Sequence, residues 1–129
     1  MPPIAVLDAS AIVEMLVGEA DRTWWSDVLA SDLHAPQLLD IEVMSVLRGL
    51  ERGRRITAES AEQAWAVMSD LSVTRHPFAV TAPRVWELRH QFTTYDASYV
   101  ALAEALDARL LTCDRKLAAP GHRALVTVL

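Results

Sequence analysis

Ile4-Ala5-Val6-Leu7 is an apolar run that stops on a carboxylate, Asp8. Near the other end of the chain, Arg109-Leu110-Leu111-Thr112 and then Cys113 lead to a second carboxylate, Asp114. Apolar runs this short read as buried strands. The stretch between them carries apolar residues at helical spacing, and strands joined through helices run parallel, with both faces of the sheet covered. The carboxyl ends of such strands share one edge, and open parallel sheets bind ligands there. Either aspartate alone is explained as well by a helix cap. Two at the same edge are harder to explain that way.

The spacing fills in the rest. Asp8 or Ser10 caps a helix that runs through Ile12, Val13, Met15 and Leu16 to Gly18. Asp21 opens a second, with Trp24, Trp25, Val28 and Leu29. Asp32 to Pro36 reads as a break holding at most a very short strand at His34-Ala35. Asp40 caps a helix whose inner face is Leu39, Val43, Val46, Leu47 and Leu50, with Gly53 near its end. Thr57 caps another, with Ala61, Ala64, Trp65 and Met68, and Leu71 to Arg75 follows as a strand. Thr81-Ala82-Pro83 starts a helix with proline in its first turn, carrying Val85, Leu88 and Phe92. Thr94 begins the last helix, with Tyr99, Val100, Ala103 and Leu106 inward, and Ala124 to Val128 is the C-terminal strand. The expectation is an α/β fold, one domain over residues 1–129, with helices on both faces of a parallel sheet.

At 129 residues, 52% hydrophobic and 22% charged, the chain can bury one core and has the wrong balance for disorder. A formal net charge of -5 argues against a non-specific nucleic-acid binder held by bulk electrostatics, though not against a local basic patch. The single cysteine, Cys113, excludes an intrachain disulfide and a cysteine-rich zinc site. No basic stretch leads into an apolar one at the N-terminus, and no apolar run nears the roughly 20 residues that span a bilayer. A soluble, cytoplasmic protein without membrane association is expected.

Seventeen residues are acidic. Most, Glu14 and Glu104 among them, fall on polar helix faces and read as solvated charges. Glu42, between Ile41 and Val43, sits at the edge of an apolar stripe in the first turn of its helix, and Asp96 occupies the first turn of another. The helix dipole alone explains either position. Helix N-termini aimed at the sheet edge would also bring both carboxylates near Asp8 and Asp114. Gathered carboxylates repel one another, and a hard divalent cation resolves that repulsion. Mg2+ takes a few carboxylates and keeps several waters, which suits hydrolysis of a phosphodiester. His34, His76, His90 and His122 are isolated along the sequence and read as surface or internally satisfied side chains rather than ligands.

Four segments carry a resemblance: Val6-Leu7-Asp8-Ala9-Ser10, Asp40-Ile41-Glu42-Val43, Tyr95-Asp96-Ala97 through Ala101-Leu102-Ala103, and Leu111-Thr112-Cys113-Asp114-Arg115-Lys116-Leu117. Together they resemble the PIN-domain family, and within it the VapC toxins of bacterial type II toxin–antitoxin systems. They follow the family's order and span nearly the whole chain. The resemblance implies a three-layer α/β/α sandwich around a parallel sheet. It implies a Mg2+-dependent endoribonuclease, with Mn2+ as a substitute, in which Asp8, Glu42, Asp96 and Asp114 hold the metal. Ser10 and Thr112 match polar positions that orient the carboxylates or a water. Arg115 and Lys116 stand where some relatives carry further acids, so one protein-held cation is implied rather than two.

The resemblance also implies an RNA substrate, a VapB-like antitoxin that masks the site, and a homodimer. Arg115 and Lys116 are candidates for RNA phosphates. Arg48 and Arg52, with Arg54 and Arg55, either grip phosphates or solvate a helix end. Met15, Leu16, Trp24 and Trp25 either line a groove for an antitoxin helix or belong to the core. A haloacid dehalogenase-type phosphatase needs a second aspartate two residues after the first, where Ser10 stands. A receiver-like signalling module needs paired acids after the first strand and a lysine after a late one, where Ala9 and Asp114 stand. An RNA-processing nuclease that is not a toxin would share every one of these residues.

Overall fold

A computed structural model describes residues 1–18 and 22–129. Strands β1 (Ile4–Leu7), β2 (Asp32–Pro36), β3 (Val73–His76), β4 (Arg109–Thr112) and β5 (Leu125–Val128) form one sheet in the order β3-β2-β1-β4-β5. Every neighbouring pair is parallel. Helices α1 (Ala9–Val17) and α2 (Arg22–Leu29) connect β1 to β2, while α3 (Leu38–Arg52) and α4 (Ala58–Asp70) connect β2 to β3. Helices α5 (Phe78–Glu87) and α6 (Thr94–Leu106) connect β3 to β4. The expected start of α2 at Asp21 lies outside the described residues.

The chain steps from β1 to β2 to β3, then crosses back to place β4 on the far side of β1. Right-handed crossovers running in opposite directions put their helices on opposite faces. Accordingly α1, α3 and α4 pack together, and α5 packs with α6. This is the α/β/α sandwich that the resemblance implies. Val6, Leu7 and Leu110 have no solvent exposure, and α6 is buried from Ala97 through Ala103. Its alanines allow close approach to β1, β2 and β4. Leu110→Ala should cost about 2–5 kcal/mol, read by urea unfolding, because a fully enclosed side chain leaves a cavity. A loss below about 1 kcal/mol would remove Leu110 from the core.

Several local expectations are corrected. The segment from Asp32 to Pro36 is a full strand, not a break with a short strand at His34-Ala35. Its polar residues disguise it. His34 Nδ1 lies 2.8 Å from His76 Nε2 on β3, and the rings stack with centroids 5.1 Å apart, so these two histidines are not isolated. Pro36 is tolerated as the last strand residue, and the next amide, Gln37 N, donates to His76 O at 3.0 Å. Helix α3 begins at Leu38, with Gln37 rather than Asp40 at the cap. Asp40 instead takes a bidentate pair from Arg75, with both contacts at 2.8 Å. That guanidinium holds its carboxyl below the usual range. Val46 is exposed rather than inward.

Helix α5 starts at Phe78, not Thr81, because Pro77 at its cap is already extended and Pro83 fits inside the helix. The helix ends before Phe92, which is nevertheless buried. Strand β3 is shifted from Leu71–Arg75 to Val73–His76, and β5 starts at Leu125. Glu104 is not solvated. Its side chain is 2% exposed and pairs with Arg84 at 2.7 Å and Arg123 at 3.8 Å. Thr57 does cap α4, accepting from Ser60 N at 3.0 Å.

Candidate active site

The strand order turns at β1, whose neighbours β2 and β4 lead away in opposite directions. The crevice at the carboxyl ends of β1 and β4 is therefore the topological switch point, the place where open parallel sheets receive ligands. Asp8 is the first residue past β1, and its amide donates to Leu111 O at 3.2 Å, fixing it against the end of β4. The Asp8 carboxylate is an acceptor on both oxygens. Oδ1 accepts from Ser10 Oγ at 2.7 Å and from Ala11 N at 3.0 Å, and Oδ2 accepts from Thr112 Oγ1. The first contact set makes Asp8 the N-cap of α1, so the capping role and the position at the sheet edge belong to one side chain.

Ser10 and Thr112 join the two strand ends. Ser10 Oγ accepts from Cys113 N at 3.0 Å, and Thr112 Oγ1 accepts from Asp114 N at 2.9 Å. Asp8 is only 6% exposed, and burial pushes its carboxyl above the ordinary value. The hydroxyl and amide donors restrain that rise, and the charge of Asp114 adds to it. Asp114 caps the 3-10 turn Arg115–Ala118 by accepting from Lys116 N at 3.0 Å, and Lys116 Nζ lies 3.6 Å from its other oxygen.

Asp96 lies in the first turn of α6, whose N-cap, Thr93 Oγ1, accepts from Asp96 N at 3.1 Å. Burial raises its carboxyl, Asp114 raises it further, and Lys116 partly offsets both. Glu42 departs from expectation. With α3 starting at Leu38, it falls in the second turn rather than the first. The dipole effect fades within one turn, so it no longer accounts for this residue. Glu42 Oε1 instead accepts from Tyr99 Oη at 2.6 Å. Burial raises the Glu42 carboxyl, as do the charges of Asp96 and Asp8, while the tyrosine donor lowers it. The four carboxylates thus come from four separate stretches of chain and interact electrostatically around one crevice.

Tyr99 is the residue that the sequence concealed. Its place on the apolar face of α6 agrees with an exposure of only 2%, but its hydroxyl is the partner of Glu42. The available signal was a hydroxyl three residues after Asp96 on an otherwise aliphatic stripe. Burial and the adjacent carboxylate push that hydroxyl far up, so it remains a donor. Tyr99→Phe should leave Glu42 half-buried without this donor, and should lower any activity of the site by about 10–100-fold, as loss of a supporting hydrogen bond does at metal sites. Turnover kinetics of the folded variant check this; unchanged turnover would reduce Tyr99 to packing.

The candidate basic residues separate. Arg115 and Lys116 are exposed directly after Asp114. Arg48 and Arg52 lie farther along α3, about 9 and 15 Å from Glu42 along its axis at the helical rise. Arg48 lines a groove against α4 with Met44, Leu47 and Trp65. Met15, Leu16 and Trp25 line a cleft of about 490 Å³ with Leu29 and Val67, whereas Trp24 lines a different one beside β1 and β4. Met15 is buried, and the other three are half-buried.

The donor set is all hard oxygen, which suits Mg2+ or Mn2+ and not a soft ion. Among the described residues, no three His, Cys, Asp or Glu side chains are grouped tightly enough to hold one ion together. Mg2+ typically takes one or two carboxylates directly and reaches others through its waters, so a crevice of spaced carboxylates fits that mode.

Comparison with known proteins agrees with this arrangement. The PIN domain family model matches residues 5–122. Ribonuclease VapC9 of Mycobacterium tuberculosis is 40% identical over 117 residues, covering 91% of each chain. Among solved structures, PAE2754 from Pyrobaculum aerophilum superposes with a TM-score of 0.73 at 26% identity, covering 98% of this chain and 92% of its own. The structure of VapBC2 from Rickettsia felis bound to a DNA fragment from its promoter matches the fold with a TM-score of 0.69 at 14% identity, covering 98% of both chains. Strand order, a carboxylate at each of the two central strand ends and a family match over most of the chain lead to one assignment: this chain belongs to the PIN-domain family, within its VapC group.

Proposed function

We propose that this chain is an endoribonuclease of the VapC kind, the toxin component of a type II toxin–antitoxin pair. It would hydrolyse RNA phosphodiesters at the crevice of Asp8, Glu42, Asp96 and Asp114. The observation that carries this reading is the approach of these spaced carboxylates to the switch point from four stretches of chain, with Asp8, Glu42 and Asp96 each raised by burial and by a neighbouring carboxylate. Such crowding is costly without a function for the charge. A bound Mg2+ or Mn2+ would stabilise charge developing on the phosphodiester and make an attacking water more acidic.

The chain's own residues have distinct tasks in this reading. Asp8, Asp96, Asp114 and Glu42 hold the cation. Ser10 and Thr112 lock the Asp8 carboxylate in one orientation, and Tyr99 does the same for Glu42. Arg115 and Lys116 take RNA phosphates, supplying a local cationic patch on a chain whose formal net charge is -5. Arg48 and Arg52 serve only an RNA long enough to run along α3. The Mycobacterium relative is named a ribonuclease, and the Rickettsia structure contains a VapB–VapC pair. Those names support an RNA substrate and an antitoxin partner here. Met15, Leu16, Trp25 and Leu29 in the cleft between α1 and α2 offer apolar side chains to an antitoxin helix. A homodimer acting in the cytoplasm completes the reading, and no helix among the described residues is long and apolar enough to cross a membrane.

The test is cleavage of a mixed-sequence RNA pool by the purified protein with Mn2+ and with excess chelator. Cleavage only with the ion is expected, together with growth arrest on expression that a co-expressed antitoxin relieves. Turnover of a simple phosphomonoester without RNA cleavage would favour a phosphatase instead.

A further inference from the structure

Tyr95 stands out among the aromatic rings. Trp86 and Phe78 are also exposed, but the Arg89 guanidinium covers the Trp86 ring at 4.3 Å, and Phe78 follows the edge strand β3, two strands away from β1. Tyr95 is 61% exposed, and among the described residues its hydroxyl has no hydrogen-bond partner. An uncovered ring in the first turn of a helix adds nothing to the core, and tyrosine is no better than average as a helix former.

Its place is defined by its neighbours. Asp96 is the next residue. Tyr99, whose hydroxyl reaches Glu42, is one helical turn further on, and residues four apart share a helix face. Tyr95 therefore lies on the face of α6 that turns toward Glu42, one turn nearer the mouth of the crevice. The helix end that carries the ring is held in place, because Thr93 caps it and residues Ala97 to Ala103 that follow are buried. Lys116 lies elsewhere on the rim, beside Asp114 and close enough to affect Asp96. The carboxylates are thus flanked by a flat aromatic face and by a cation. A nucleotide presents the matching pair, a base face and a phosphate.

We propose that Tyr95 is a substrate-positioning residue that stacks on an unpaired nucleobase beside the scissile phosphate. The inference rests on the ribonuclease reading of the site and adds to it the position of a base. A base inside a duplex is already stacked on both faces, so this site takes single-stranded or flipped-out nucleotides. Base–aromatic stacking tolerates any base, so Tyr95 contributes affinity and register more than sequence choice.

The experiment uses the full-length chain and short single-stranded oligoribonucleotides of mixed sequence containing 2-aminopurine. Binding is followed in excess chelator by fluorescence quenching, and cleavage is followed separately with Mn2+. Tyr95→Ala should raise KM by about tenfold or more with little change in kcat, and should abolish the quench. Tyr95→Phe and Tyr95→Trp should restore both. Equal KM and equal quench for wild type and Tyr95→Ala would overturn the stacking role while leaving the ribonuclease reading standing. A wild type that quenches through Tyr95 but cuts no RNA would overturn the ribonuclease reading, and with it the placement beside a scissile phosphate, leaving only a base-binding ring. Loss of a dimer in Tyr95→Ala, with unaltered quench in what remains, would assign the ring to a second copy of the chain and overturn stacking.

Discussion

Asp8→Asn is expected to eliminate RNA cleavage while leaving the fold intact. The substitution conserves volume at a position that is 6% exposed, so the core need not repack. Its amide oxygen can keep the bonds from Ser10 Oγ and Ala11 N, and the Thr112 hydroxyl can rotate to accept from the new amide. Neutralising a carboxylate that burial already penalises does not cost stability near neutral pH. What disappears is a negative oxygen facing the crevice. Losing a group that merely supports a metal ligand costs about 10–100-fold, so losing a carboxylate proposed as a ligand should exceed about 100-fold. Single-turnover cleavage measured beside circular dichroism checks this. Activity within tenfold of wild type in a folded variant would detach Asp8 from the chemistry.

Asp96→Asn should stabilise the metal-free protein, and the gain should depend on pH. The folded carboxyl is raised above its ordinary value of 3.8, first by burial and then by Asp114. Above the raised value it is ionised in both folded and unfolded chains, and the folded chain carries the full penalty. As pH falls through that value the folded chain takes up its proton first and the penalty shrinks. Below about 3.8 both forms are protonated and nothing remains. The variant should therefore melt higher than wild type at alkaline pH, with the difference closing on acidification. Taking the difference removes the separate effect of His76, lowered by burial and by His34, which is common to both proteins.

Metal should reverse the order. Mn2+ at about 100 times its Kd adds about 2.7 kcal/mol to a protein that binds it only when folded, or about 10 °C in Tm for a domain of this size. Wild type should show that rise and Asp96→Asn a small part of it. Equal rises in scanning calorimetry would place the ion away from Asp96.

The parts of this site that were legible in the sequence are those fixed by a local rule. Asp8 and Asp114 follow short apolar runs, and a run that short between helical stretches has few other readings. Asp96 was visible because Thr94 marks a helix start. Pairings across long separations were not legible. Asp32 and His34 made β2 look like a turn because the partner of His34 lies 42 residues away. Glu104 looked solvated because its cation, Arg84, sits on another helix. Placing the start of α3 at Asp40 put Glu42 in the wrong turn and lent it a dipole explanation it does not have. The true cap, Gln37, makes no side-chain capping bond that could have marked it. Tyr99 was hidden for a different reason: a tyrosine counts as apolar in any periodicity, and its one polar atom found a partner 57 residues earlier.

The proposed function places a divalent cation on these carboxylates, in the switch-point crevice between β1 and β4. A crystal soaked in Mn2+ and measured for anomalous scattering tests it without assuming any substrate. A peak is expected between Asp8 and Asp96 or Asp114, absent from crystals of Asp8→Asn. A peak elsewhere on the molecule, with these carboxylates splayed apart, would contradict it.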